Sequence, residues 1–275
     1  MSELKLLRFK IYQPHAHYRI PFTYQRRHTY PIPPYSTVIG FLCNLLGYWD
    51  KMPADIPEIK KLKMSIAGQF GCKTTEFLWF RNLSKDAHQK RFGTLENRYI
   101  SGHIEHIGGQ SPMMIDTLND VRLVIHLAHE NEGFLEEIRD SLQNPVRRLE
   151  PLHLGRAEDW IVLMDPPEIF DLSKFSVRKE DGNYGYFFWI PQNMFVLNSE
   201  KRASRFEDFD GLLYRLTSLW TVENYAETLN RHGRRIFTYI TAKLSDGLFT
   251  DKFFLFDDDK DWKLPVFLAD LGDGS

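Results

Sequence analysis

Cysteine is almost absent, with Cys43 and Cys72 the two in 275 residues. They have neither metal-ligand nor redox spacing, so buried free thiols are the default expectation. No run of about 18 apolar residues occurs, and the opening MSELKLLRFK has no apolar signal-peptide core. A membrane partner is therefore not expected, and the cytoplasm is the expected compartment. The chain also has no Walker loop, no His-Glu-x-x-His, no nucleophile elbow and no dinucleotide fingerprint. Metal-dependent mechanisms are unsupported, and the expectation is no metal and no cofactor.

What is present is enough apolar content, 43%, for a full core in one large domain or two modest ones. The net charge of -2 conceals an uneven distribution. Residues 1–100 carry 16 Lys and Arg against 7 Asp and Glu, whereas residues 101–275 carry 19 against 30. Such asymmetry fits a protein with one anionic partner surface and other protein-facing surfaces, and it also fits two halves that differ by accident.

The most informative stretch runs from Arg19 to Asp50. Arg19, Phe22, Tyr24, Arg26, Arg27, His28 and Tyr30 precede a turn stiffened by Pro31, Pro33 and Pro34, and an apolar helix follows. Ser36 or Thr37 is placed to cap that helix, and Val38, Leu42, Leu45, Leu46 and Trp49 recur at helical spacing on one face to be buried. A helix N-terminus beside arginines suits phosphates, and aromatic rings with arginines suit unpaired nucleotides. A proline turn before a buried helix, with arginines solvated on a loop, accounts for the same residues.

Elsewhere, LKLLRFKI (4–11) reads as a strand with Leu7, Phe9 and Ile11 on a core face. Its Arg8 and Lys10 face is either an open surface for RNA or an exposed edge. Residues 62–68 and 74–81 read as strands, 120–128 as a strand with Val121, Leu123, Ile125 and Leu127 inward, and 132–143 as an amphipathic helix burying Phe134, Leu135, Ile138 and Leu142. A further strand is expected at 159–164. Strand, helix, strands, helix, strand is the ferredoxin-like order.

Between Asn82 and Asp120 periodicity fails, and a loop this long inside a compact domain tends to be functional. Gly155 lies where a backbone without a side chain could approach a phosphate, with Arg147, Arg148, His153 and Arg156 around it. Phosphate cradle and plain turn are both open there. Past Pro166 and Pro167 come acidic and aromatic segments expected as antiparallel sheet, at 184–190, 194–198, 234–244, 252–256 and 265–270, with 212–220 ambiguous between strand and helix. The acidic run from Asp257 to Asp261 is expected as a solvated turn.

Two motifs carry a family resemblance. YPIPPYSTVIGFLCNLLG, from Tyr30 to Gly47, resembles the N-terminal signature of the Cas-five family of type I CRISPR Cascade complexes, and LHLGRAED, from Leu152 to Asp159, resembles that family's leucine-glycine-arginine motif. The match is firm over residues 4–165, with type I-B the suggested branch. The resemblance implies an α+β fold: a ferredoxin-like, RNA-recognition-type (RAMP) domain over 1–166, a thumb-like hairpin at about 82–120, and a smaller β-rich region over 167–275.

It further implies a non-catalytic subunit that binds the 5′ handle of a mature CRISPR RNA and caps the backbone filament in antiviral defence. Partners implied are the CRISPR RNA, the Cascade backbone subunit and the large subunit, with target DNA near the PAM a further candidate. Arg19, Arg26, Arg27 and Arg156 would hold phosphates, while Tyr24, His28 and Tyr30 would meet handle bases. Ser36 and Thr37 would sit at the helix start, Arg147, Arg148, His153 and Gly155 around the second motif, and Arg81, Lys85, Lys90, Arg91 and Arg98 would charge the thumb.

The alternative is metal-independent cleavage of precursor RNA, which needs a base, an acid and a cation. His28, Tyr30, His103 and His106 could supply such groups. In the type I-C branch a tyrosine acts with an adjacent lysine and histidine, and this chain has no Lys-His dipeptide.

Overall fold

The computed structural model describes residues 4–82, 84–104, 109–172, 175–179, 182–194, 205–223, 235–248, 252–258 and 262–272. The fold is mixed α/β, mostly sheet with few helices. Strand β1 (Lys5–Ala16) leads into three two-residue strands, β2 (Tyr18–Arg19), β3 (Arg26–Arg27) and β4 (Thr29–Tyr30). Helix α1 (Tyr35–Leu46) follows, then the single turn α2 (Pro57–Lys60), β5 (Lys63–Gln69) and β6 (Cys72–Asn82). Helix α3 (Lys85–Phe92) and the short pair β7 (Tyr99–Ile100) and β8 (His103–Ile104) lie before the 21-residue strand β9 (Gly109–His129). Helix α4 (Glu132–Gln143), β10 (Val162–Leu163) and β11 (Glu168–Asp171) come next.

The remaining strands are β12 (Ser176–Arg178), β13 (Gly182–Pro191), β14 (Leu212–Val222), β15 (Arg235–Leu248), β16 (Phe254–Asp258), β17 (Lys263–Val266) and β18 (Ala269–Asp270). The main sheet runs β10-β1-β9-β5-β13-β15-β14. β1 lies antiparallel to β9, with Phe9 opposite Ile125, and β9 antiparallel to β5, with Ile66 opposite Ile125. Each chain-order neighbour separated by a helix therefore skips one strand in the sheet.

Alternation along β1 sends Leu7, Phe9 and Ile11 to the face covered by α1 and α4. The four expected apolar residues of α4 are buried in the same core. The opposite face of β1 is covered as well. Leu6 and Ala128 pack with Phe175, Val266 and Leu268, and the sheet β12-β16-β17 caps this side. Arg8 and Lys10 are consequently buried, which excludes both the open RNA surface and the exposed edge. Arg8 donates to both Asp257 carboxylate oxygens, at 3.0 and 2.9 Å, and to Glu168 at 2.8 Å, while Lys10 lies 3.2 Å from Asp165. Asp257 also accepts from His126 Nε2 at 2.8 Å. It is thus a buried ion-pair partner and not part of a solvated turn, because it lies inside β16, paired opposite Leu264 of β17.

Helix α1 begins at Tyr35 with Pro34 as its N-cap, and no side chain caps it. Ser36 Oγ instead pairs with Thr217 Oγ1 at 2.6 Å, and Thr37 offers its amide to the Pro34 carbonyl at 3.0 Å. The helix stops at Gly47, whose φ of 76° puts it in the left-handed region that favours glycine. A Cβ there would meet the Arg147 carbonyl at 2.7 Å. Trp49 falls beyond this stop and is 72% exposed, outside the apolar stripe it was expected to extend.

The aperiodic stretch proves regular at both ends. β6 pairs with β9 from Cys72–Asn119 to Asn82–Gly109, forming a long hairpin arm whose second strand continues into the main sheet. β6 is the strand expected at 74–81, and it is solvated on both faces, with Phe77 and Trp79 exposed on one side and Leu78 and Phe80 partly on the other. Cys43 is buried, its thiol pushed up to about 12 by burial, but Cys72 on the arm is exposed. The 159–164 strand shrinks to β10, and 212–220 is strand. Residues 195–198 of the expected 194–198 strand, and 259–261 of the acidic run, lie outside the described residues. No described helix is long and apolar enough to cross a membrane.

Candidate nucleic-acid interface

The arginine segment is pinned from two sides. β2 and β4 pair antiparallel, Tyr18 with Tyr30 and Arg19 with Thr29, and β3 lies parallel to β9, Arg26 beside Met114 and Arg27 beside Ile115. That register brings the segment over Asp116, a carboxylate only 1% exposed. Asp116 Oδ2 accepts from His28 Nδ1 at 2.9 Å and Oδ1 accepts from Thr75 at 3.0 Å, with Arg26 at 3.6 Å and Lys73 at 3.7 Å. Burial pushes the Asp116 carboxyl up, but the hydrogen bonds from His28 and Thr75 and the Lys73 charge outweigh it, leaving its pKa below the ordinary value. One buried anion thereby gathers Arg26, Lys73 and His28 at the surface, a cluster with surplus positive charge suited to phosphate.

Arg27 stacks over the Phe80 ring at 4.4 Å, which locks the arm to the segment. Burial, followed by the charge of Arg19, holds the Arg27 pKa below the usual arginine value, so the two guanidinium groups are neighbours. Beyond Arg19, Tyr24 is fully accessible, and Phe22 is 98% exposed with a φ of 65°. His17 lies beneath the cluster. Its Nδ1–H donates to the Asp116 carbonyl at 2.7 Å, and burial, chiefly, holds it neutral with a pKa below the ordinary value.

Tyr30 does not join this surface. It is 4% exposed, with its ring in T-shaped contact with Trp189 at 5.9 Å and Tyr214 at 5.6 Å, so it packs in the core and is not presented for stacking on a base. Its register opposite Tyr18 turns it inward. Tyr30 does line, with Ser36, Thr37, Arg19, His153 and Gly155, a common groove of about 1250 Å³.

The second motif builds a tight turn in which Arg156 is held by carboxylates. Asp159 accepts from the His17 amide at 2.9 Å, the Arg156 amide at 2.8 Å and the Arg156 guanidinium at 2.9 Å. Glu76 and Glu158 lie 3.7 and 3.4 Å from the same guanidinium. Burial works against the Arg156 charge, yet the Asp159 hydrogen bonds raise its pKa above the usual value. Its donors are occupied by carboxylates, which disfavours the phosphate role. Gly155, at φ 113°, is needed for close packing: a Cβ would approach Asp159 Oδ2 at 2.8 Å and the His17 carbonyl at 3.0 Å. Gln13 completes the knot by donating to the Leu154 and Asp159 carbonyls.

Around it, His153 Nδ1–H donates to the Pro151 carbonyl at 2.9 Å, Arg147 pairs with Glu137, and Arg148 is exposed. On the arm, Lys85, Lys90 and Arg91 are exposed on α3, but Arg98 is 4% exposed and points inward. His103 is exposed on β8. His106 and the Arg81 side chain lie outside the described residues.

Asp116, Lys73 and Thr75 went unseen in the sequence. The signal was a lone acid in the apolar run MMIDTL, inside the stretch where periodicity fails.

A family described as CRISPR-associated protein (Cas_Cas5) matches residues 6–249. No curated protein matches the chain. Among solved structures, a chain of a "CRISPR RNA-guided surveillance complex" is similar in fold, with TM-score 0.51 and 13% identity over 94% of this chain and 91% of that one. A "Crystal structure of Cas protein" aligns at TM-score 0.43 and 15% identity over 88% and 94% of the two chains, and a CRISPR protein from Archaeoglobus fulgidus at 0.35 and 12% over 97% and 98%. With the family matched across nearly its whole described length, the chain belongs to the Cas-five family of CRISPR-associated proteins.

Proposed function

We propose that this chain is a non-catalytic subunit of a type I CRISPR effector complex, that it grips the 5′ handle of the guide RNA, and that it caps one end of the backbone filament. The observation carrying this reading is the cationic cluster organised on Asp116 beside the open ring of Tyr24. Arg26, Arg27 and Lys73 would meet phosphates, and Tyr24 would stack on an unpaired base. The strand order fits a ferredoxin-like half, and the hairpin arm fits the thumb that divides handle from spacer and meets neighbouring subunits.

Cleavage has one observation in its favour, the His28–Asp116 pair at 2.9 Å with Lys73 nearby. A second proton-transfer group is harder to supply. His17 is buried with Nδ1 held by a carbonyl, and Tyr30 is enclosed by aromatic rings. Binding without cleavage is the better account.

The test is a gel shift of handle against scrambled RNA for the wild type and for Arg26→Ala/Arg27→Ala. The variant should bind handle RNA several-fold more weakly and flatten the salt dependence by about 1.4 in slope, two phosphates at about 0.7 each. Unchanged binding rejects the reading. A single-position cut of repeat RNA by the purified protein in EDTA, lost in His28→Ala, would establish the enzyme instead.

A further inference from the structure

Two strands of the acidic C-terminal part line the groove that begins at Arg19. Arg215, Thr217 and Trp220 of β14 face it, as do Arg235, Phe237 and Tyr239 of β15. Trp220 reaches across to α1, where its ring lies 3.5 Å from the Cβ position of Gly40, so these strands form a wall fixed to the N-terminal half.

This wall has the chemistry of the first site. Arg215 stacks over Tyr239 at 4.2 Å and Arg235 over Trp220 at 5.8 Å. Each guanidinium lies within cation–π reach of a ring, and among the described residues neither donates a side-chain hydrogen bond. Both arginines are exposed, and among the described residues neither forms an ion pair, in contrast to Arg8, Arg147 and Arg156. Among the described residues, Glu150 is the one carboxylate lining the groove, set against Arg19, Arg215 and Arg235. At the mouth, Phe22 is fully solvated in a left-handed backbone conformation that a bulky residue rarely adopts. Neither exposure nor that geometry serves the fold, and both suit a ring waiting for a partner. The volume of about 1250 Å³ exceeds the roughly 300–1,000 Å³ of small-molecule pockets, so an extended ligand fits better.

Resting on the RNA-binding function proposed above, we infer that β14 and β15 form a second RNA-binding wall. A single strand leaving the Arg26 cluster passes Arg19, stacks a base on Phe22, and lays its phosphates against Arg215 and Arg235.

The experiment is fluorescence anisotropy on the full chain with a labelled single-stranded RNA, long enough to cover a site of about 4–16 nucleotides. Wild type, Arg215→Ala/Arg235→Ala, Phe22→Ala and Arg26→Ala/Arg27→Ala are compared. The Arg215/Arg235 and Phe22 variants should each lose about tenfold in affinity, in the range set by one stacked base. Phe22→Ala, on an exposed turn, keeps the test valid if the double variant fails to fold. Loss in the Arg26/Arg27 variant alone overturns the second wall and leaves the proposed function standing. Loss in none overturns both. Full RNA affinity in the Arg215/Arg235 variant, with loss of polyglutamate binding, makes the wall a docking surface for an acidic protein and likewise overturns the inference.

Discussion

Asp116 accepts a hydrogen bond from His28 at 2.9 Å while remaining almost fully buried, so an anion sits beneath the surface cluster of Arg26, Lys73 and His28. Removing it has an effect opposite to that of simple charge counting. Asp116→Asn deletes a negative charge near the proposed phosphate site, yet it releases Arg26, Lys73 and His28 from their common anchor. RNA affinity should fall several-fold, and stability by about 1–3 kcal/mol as buried donors lose their acceptor. Anisotropy titration with thermal melting checks both; tighter binding would show that the cluster is not preorganised by this carboxylate.

Acid stability should fall in two stages. Burial, the leading cause, holds His17 and His129 below the ordinary histidine value of 6.5. The unfolded chain then binds protons that the native chain refuses, so this stability is complete above about pH 6.5 and is lost as pH falls below it. Asp116 and Asp257 have depressed pKa values, so their contribution persists above about pH 3.9 and disappears only on further acidification. His17→Asn keeps a donor for the Asp116 carbonyl and should flatten the first stage in melts run from pH 7.5 to 5, taken as a range about the histidine value. An unchanged profile would count against a neutral buried His17.

The two Gly155 interpretations separate cleanly. Gly155→Ala forces a Cβ to 2.8 Å from Asp159 and 3.0 Å from the His17 carbonyl at a left-handed φ. The expected cost is about 1–3 kcal/mol of stability, with RNA affinity unchanged at temperatures where the variant is folded. Reduced affinity without destabilisation would restore the phosphate cradle.

Asp257 tests the covering of β1. Asp257→Ala leaves Arg8 and His126 facing each other without their shared carboxylate, and about 3–5 kcal/mol should be lost. Denaturant titration measures it, and a loss below about 1 kcal/mol would mean that this face is more open than the packing indicates.

Elements that bury one face were legible in the sequence, because period two in β1 and the inner half of β9, and the helical spacing in α4, follow directly from packing against a core. The arm strand at 74–81 was legible too, whereas the outer half of β9 was not, because Ile115, Asp116 and Thr117 are buried in succession and break the alternation. For the site, residue type was legible but orientation was not. Tyr24 and Tyr30 look alike in the sequence, yet pairing with Tyr18 turns Tyr30 into the core. Arg26 and Arg156 look alike too, but Asp159, three residues on, occupies Arg156. The covering of Arg8 and Lys10, and the groove wall of Arg215 and Arg235, depend on contacts between residues more than 100 positions apart, which local spacing does not encode.

The most direct measurement is photocrosslinking in the assembled ribonucleoprotein, using a guide RNA with a photoreactive base at its 5′ end and peptide mapping of the adduct. The account predicts crosslinks within residues 19–30, centred on Phe22 and Tyr24. Adducts confined to other subunits, with residues 19–30 unmodified, would contradict it.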